Sequence, residues 1–154
     1  MSVVVREMRS ADAEPVAGMV RGLARHIRSD AVPRLTGELL NANRDLVDVA
    51  VAENEGRLVG ACLTLMTFST WRGAKGLYVV DLFVEPEARG RKTGVRLLKF
   101  AAARAMAVGA RFIKLEVDYT NEGAARFYEK LGFLRKETDR LFVLEEKKLK
   151  EFVE

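Results

Sequence analysis

Arg89, Arg91, Lys92 and Arg96 crowd around Gly90 and Gly94 in one short stretch. An apolar run, Leu77 to Val84, stops just before them at Pro86, and an amphipathic run starts directly after. A strand that ends in a tight glycine turn and opens at once into a helix is an anion site. The first helical N–H groups have no internal acceptor, and the helix dipole favours negative charge there. With these cations present, a phosphate-bearing ligand is the natural guest. Two familiar phosphate loops are excluded. A Walker loop ends in Gly-Lys-Ser/Thr, and this turn has no Gly-Lys pair. The dinucleotide fingerprint needs Gly-x-Gly-x-x-Gly, and only Gly90 and Gly94 are present.

The other residue types that could do chemistry are few. Asp81 sits in the apolar run, where a bare carboxylate needs a partner or a solvated cleft. It reads equally as a structural aspartate bonded to backbone and as a proton acceptor. Glu116, on the next apolar run, is a second candidate. Asp30 and Glu38 fall at helix ends and read as solvated. His26 lies between Arg25 and Arg28 with no companion ligands at metal spacing, so no metal site is expected. Cys62, the single cysteine, cannot form an internal disulfide and reads as a small core residue, which fits a reducing cytoplasm.

Charge placement points the same way as the glycine turn. The net charge is +4, and residues 71–128 carry 11 basic against 6 acidic side chains. The excess therefore lies in the segment that holds the turn. A polyanionic cofactor explains this. Nucleic acid would as well, but its binders carry aromatic platforms or a reading helix beside the cations, and neither is evident.

Two motifs carry a family resemblance. Val84-x-Pro86-x-x-Arg89-Gly90-x-x-x-Gly94-x-x-Leu97-Leu98 resembles the acetyl-CoA loop of the GNAT N-acetyltransferase superfamily, with Lys92 where a glycine is usual. Asn121-x-x-Ala124-x-x-Phe127-Tyr128-x-x-x-Gly132-Phe133 resembles a second segment of that superfamily and matches at every anchor. The resemblance implies acetyl transfer from acetyl-CoA to a primary amine: a small amine, an amino acid or a protein amine. It implies that Arg89, Gly90, Arg91, Lys92, Thr93 and Gly94 hold the diphosphate, and that Leu82, Phe83 and Val84 pair with the pantetheine arm. It makes Tyr128 the general acid, beside a packing reading of the Phe127-Tyr128 pair, and Asn121 a pantetheine ligand or a loop-ordering residue. Asp81 and Glu116 remain the candidates for the base. The stretch Tyr78-Val79-Val80-Asp81-Leu82-Phe83-Val84 resembles the diamine/polyamine acetyltransferase branch, with Val80 where that branch has glutamate. A homodimer is implied by the family only. Two rival classes stay open: a CoA-binding regulatory module without turnover, and an RNA-associated basic protein.

The elements must place these residues. Val3 to Arg6 reads as a strand. Ser10 or Asp12 can cap a helix that runs to about Ser29, with Pro15 in its first turn. Ala31-Val32-Pro33 breaks it, and a shorter helix is expected from about Arg34 to Asn43. Strands are expected at Leu46 to Glu53, Leu58 to Phe68 and Gly76 to Val84, with Asn54-Glu55-Gly56-Arg57 as a hairpin turn. Gly94 to Val108 reads as a helix, Arg111 to Tyr119 as a strand parallel to the preceding one, and Glu122 to Leu131 as a helix. Phe133 to Arg135 and Arg140 to Glu145 read as two last strands, and the tail from Glu146 as a short helix or frayed chain. The chain thus reads as one α/β domain over 1–154: a mixed, mainly antiparallel sheet with helices on both faces, in the element order of the GNAT fold. No run approaches the ~18 apolar residues of a membrane span, and the first residues lack a signal-like hydrophobic run.

Overall fold

The computed structural model describes residues 2–26 and 33–154. The chain divides into two compact units, Met1–Glu116 and Val117–Glu154.

In the first unit five strands pair in sequence order: β1 (Val3–Glu7), β2 (Asp48–Asn54), β3 (Arg57–Ser69), β4 (Ala74–Val84) and β5 (Ala110–Leu115). The first four form an antiparallel meander, and β5 lies parallel to β4 as the strand–helix–strand return requires. The β2–β3 hairpin turns through Glu55 and Gly56, whose φ angles are 50° and 81°. Positive φ at both central residues matches the right-handed twist of the flanking strands.

Apolar alternation gives the sheet two buried faces. Val49, Val51, Ala61 and Leu63 point to one face and pack with Met8, Val16, Met19 and Leu40. Those partners place α1 (Ala13–His26) and α2 (Gly37–Ala42) on this face. Helix α3 (Thr93–Ala107) packs against the sheet through Leu97, Leu98, Ala101 and Ala105. Full burial of a leucine such as Leu97 stabilises by about 1.5–3 kcal/mol. Gly109, at φ 104°, ends α3 where an L side chain would be strained.

Helix α2 is shorter than expected, because Thr36 caps it: its Oγ1 accepts a hydrogen bond from the Leu39 N–H at 3.1 Å. Near β1, Asp12 accepts from the Arg9 N–H at 2.8 Å and from the Arg6 guanidinium at 2.7 Å. This holds its carboxyl below the usual range. The expected run of α1 through Ile27 to Ser29, Asp30 and the break at Ala31–Val32 lie outside the described residues, as does the His26 side chain.

The second unit contains α4 (Glu122–Lys130) and α5 (Glu146–Val153). The two strands expected at 133–135 and 140–145 do not form. A strand needs a neighbour's ladder, and no ladder reaches this stretch among the described residues. Leu141 and Phe142, adjacent in sequence, are 77% and 88% exposed, so the alternation there is not matched by burial. Side chains hold the stretch instead: Arg135 forks to Glu122 at 3.1 Å and Glu129 at 2.6 Å on α4. No helix among the described residues is long and apolar enough to cross a membrane.

Candidate active site

The glycine turn is built as an amide-lined cup. After β4, Pro86–Ala88 makes one 3-10 turn, and Gly90 and Lys92 take φ angles of 77° and 58°. Lys92 is the residue before α3 and carries left-handed backbone (ψ 20°), the conformation the usual glycine would supply without cost. Thr93 is buried and donates its hydroxyl to the Ala88 carbonyl at 3.1 Å, which locks the turn to the helix. The first helical bond runs from Arg96 N–H to the Lys92 carbonyl. The amides of Thr93, Gly94 and Val95 therefore precede any helical acceptor. The four cations divide. Arg89 donates through Nε to the Val84 carbonyl at 3.0 Å, and Arg96 donates to the Val3 carbonyl at 2.8 Å. The side chains of Arg91 and Lys92 are exposed and, among the described residues, carry no hydrogen bond or ion pair.

β4 leaves one edge open. Its ladder with β5 ends at the pair Val79–Leu115, whereas its ladder with β3 continues to Val84 opposite Gly60. Residues 80–84 thus hold β3 on one side only. Alternate N–H and C=O groups among Leu82, Phe83 and Val84 face the open edge.

A bulge sorts the carboxylates. Thr64 pairs with Val79 and Leu63 with Asp81, so Val80 is an extra residue in β4. Simple alternation would place Tyr78 and Asp81 on opposite faces. The bulge brings both to the face that bears Leu63 and Ala61, where Phe83 also packs. Val80 is 44% exposed at the bulge. Asp81 is half-buried, and among the described residues its side chain has no hydrogen bond or ion pair. Burial pushes its carboxyl upward, toward the neutral form. Glu116 is exposed, just beyond β5, and close enough to Tyr78 to act on its phenol. Burial, then the nearby Glu116 carboxylate, raises the Tyr78 phenol. The Cys62 thiol is pushed up to about 12, chiefly by burial, and is no nucleophile near neutrality.

The second unit shows why its motif has the letters it has. Asn121 caps α4, its Oδ1 accepting from the Ala124 N–H at 3.1 Å. Gly132, at φ 99°, donates to the Glu129 carbonyl, and Phe133 donates to the Tyr128 carbonyl. These two bonds form a Schellman ending, and the ring of Phe133 meets that of Tyr128 edge-on at 5.4 Å. Phe127 contacts Tyr128 from its other neighbour position at 5.0 Å.

Sequence reasoning missed Tyr78 and Glu85. Tyr78 was hidden because the bulge cannot be seen in an apolar run. Glu85 reads as a turn residue, yet with Gly18, Gly22, Met19, Leu58 and Phe83 it lines a cleft of about 760 Å³. Among the described residues no cluster of His, Cys, Asp or Glu could hold a metal.

Comparison with known proteins agrees with this architecture. Residues 18–133 match the acetyltransferase (GNAT) family. Thialysine N-epsilon-acetyltransferase from Sus scrofa is 28% identical over 143 residues, 85% of this chain and 84% of that protein. The uncharacterized N-acetyltransferase YhfO from Bacillus subtilis is 30% identical over 133 residues, 84% of this chain and 88% of that protein. A solved integron cassette protein from the mobile metagenome of V. cholerae has a TM-score of 0.80 at 22% identity, over 99% of this chain and 98% of that one, a likeness of fold. The chain belongs to the acetyltransferase (GNAT) family and is an acyltransferase enzyme.

Proposed function

We propose that this enzyme moves the acetyl group of acetyl-CoA to a primary amine by direct attack. The observation that carries the proposal is the pairing of an open strand edge with an amide cup: β4 runs unpaired on one side through Val84 and leads straight into the turn at Arg89–Gly94. An amide-rich pantetheine arm suits the edge as an added strand, and a diphosphate suits the cup. Arg91 and Lys92, whose side chains have no partner among the described residues, supply charge for the phosphates.

The chemistry then runs as follows. An alkylammonium must lose a proton before it can attack, and Asp81, raised by burial, is matched to take it. The neutral nitrogen attacks the acetyl carbonyl carbon. An N–H of Leu82, Phe83 or Val84 on the open edge stabilises the oxyanion. The C–S bond breaks as the carbonyl reforms, Tyr128 gives its phenolic proton to the leaving thiolate, and the second proton released from the nitrogen passes through solvent and restores the phenol. The role of Tyr128 rests on the motif it occupies, as does the role of Asn121. Glu116, exposed beside Tyr78, is the weaker base candidate. The family match runs through both units, which supports one catalytic domain over 1–154. The named activity of the Sus scrofa relative supports an amine acceptor.

Pairing of two copies and a cytoplasmic location belong to the same proposal. Leu134, Phe142 and Phe152 stand exposed in the second unit, and exposed apolar surface commonly seats a partner. A mass in solution of one chain at micromolar concentration would end the dimer reading. Calorimetry of acetyl-CoA against 3′-dephospho acetyl-CoA tests the cofactor. Saturable binding that weakens in Arg91→Ala supports the cup; absence of binding to either ligand overturns it.

A further inference from the structure

A base that takes a proton in every turnover must also lose it. Asp81 is half-buried, and an acceptor in front of it with a pantetheine arm along β4 closes it off further. Strand register provides a way out. Tyr78 pairs with Leu65 and Asp81 with Leu63, so the bulge at Val80 makes Tyr78 and Asp81 neighbours on one face of β4. Leu63 and Leu65 are alternate residues of one strand, which sets the two β4 residues roughly 7 Å apart at Cα. Across the parallel ladder Tyr78 pairs with Lys114, and Glu116 follows two residues later. The ladder ends at Val79–Leu115, so Asp81 and Glu116 stand on either side of the point where β4 and β5 part. Tyr78 is half-buried just inside that point, and Glu116 is exposed at its mouth. After burial, the Glu116 carboxylate and then that of Asp81 act on the Tyr78 phenol. The opposite direction along the strands is closed. A Cβ at Gly76 would run into the Phe112 ring, and the Arg72 guanidinium covers that ring at 4.4 Å.

We infer that Tyr78 carries the proton that Asp81 takes from the acceptor outward to Glu116, where water removes it. This rests on the proposed acetyl transfer. The step balances. Asp81, protonated on one carboxyl oxygen, donates to the Tyr78 hydroxyl oxygen while that hydroxyl gives its own hydrogen to the Glu116 carboxylate. Asp81 is then an anion again, Tyr78 is a neutral phenol before and after, and Glu116 holds the proton until solvent takes it. Tyr78 thus acts through Asp81 and is separate from Tyr128, which the motif assigns to the leaving thiolate. A phenylalanine ring at position 78 fills the same space but neither accepts nor donates a proton. Two cations share this side of the sheet, Lys114 exposed beside Tyr78 on β5 and Arg72 over Phe112. Neither has a proton acceptor to offer while charged, so the carboxylate of Glu116 is the terminus.

The test compares wild type, Tyr78→Phe, Glu116→Gln and the double variant in thiol release from acetyl-CoA, with alkylamines, amino acids and lysine peptides as acceptors. Position 116 is exposed, so Glu116→Gln leaves the fold intact. Calorimetry of acetyl-CoA, run on all four proteins, shows that the cofactor site is unchanged. Tyr78→Phe should lower kcat by about tenfold or more with little change in KM. Imidazole, a small diffusible proton carrier, should restore most of the lost rate in Tyr78→Phe and leave the wild type unaffected. Glu116→Gln should slow the reaction in the same way, and the double variant should be no slower than the slower single one, because both changes cut one path. A packing tyrosine gives none of these responses. Wild-type kcat in Tyr78→Phe, a loss that imidazole does not relieve, or losses that multiply in the double variant would each overturn the relay. If the wild type releases no thiol with any acceptor while acetyl-CoA binds, the acetyl-transfer reading falls and the relay falls with it.

Discussion

Lys92 is where the turn departs from its family pattern, and its backbone makes a quantitative prediction. At φ 58° and ψ 20° it holds a conformation that costs an L residue about 1–2 kcal/mol. Glycine removes that cost but loses about 0.5–1 kcal/mol through the freedom of its unfolded chain. Lys92→Gly should therefore be more stable than Lys92→Ala by about 1 kcal/mol. For a chain of this size that is a difference of about 2–4 °C in Tm. Both variants lack the ammonium, so the comparison isolates the backbone. Acetyl-CoA binding separates the other contribution. If backbone amides do most of the holding, both variants lose only the screened charge of one lysine, a few-fold in affinity, and the loss shrinks as salt rises. The assay is thermal unfolding of the three proteins without ligand, then calorimetry at two salt concentrations. Equal Tm for Lys92→Gly and Lys92→Ala would refute the strain argument. A large loss in both variants that persists at high salt would refute the amide-led account of the cup.

Asp81→Asn should raise stability at neutral pH. Burial lifts the folded pKa of Asp81 above its unfolded value, so the folded state keeps its proton longer, and stability falls as pH rises from the unfolded value through the folded one. The gap between variant and wild type should close below about pH 4 in urea unfolding; a constant gap across that range would show that burial is not its cause. Tyr128→Phe should keep acetyl-CoA binding and lower kcat by about 10²- to 10⁴-fold. Unchanged kcat would leave Tyr128 as a ring packed with Phe127 and Phe133. Asn121→Ala should loosen α4 by about 1 kcal/mol, seen as faster amide exchange at Ala124 and Ala125; unchanged exchange there would mean the cap is not what holds the helix start.

Most of the first unit could be read from residue order. The hairpin at Glu55-Gly56, the meander and the parallel β5 all follow from local turn chemistry and apolar periodicity. The glycine turn was legible because Pro86, Gly90 and Gly94 punctuate it. What was not legible depends on contacts distant in sequence. The bulge at Val80 needs the register of β3 to be known, and without it Tyr78 and Asp81 fall on opposite faces. The division of the four cations depends on where the Val3 and Val84 carbonyls lie. The cleft at Glu85 exists because Gly18 and Gly22 face β4, which a helical glycine spacing alone does not announce. The stretch 133–145 misled because its Leu and Val alternate like a strand, while strand formation requires a partner edge that none of the described residues brings to it.

The central claim is acetyl transfer from a cofactor held along β4 and the glycine turn. Its most direct test is incubation with acetyl-CoA carrying a labelled acetyl group and an amine panel, with free thiol and labelled amine followed together. The account predicts thiol release that requires both substrates, with the label recovered as an amide on the acceptor nitrogen in equal amount. Thiol release without an amine, or label that never leaves the cofactor while acetyl-CoA is bound, would contradict it.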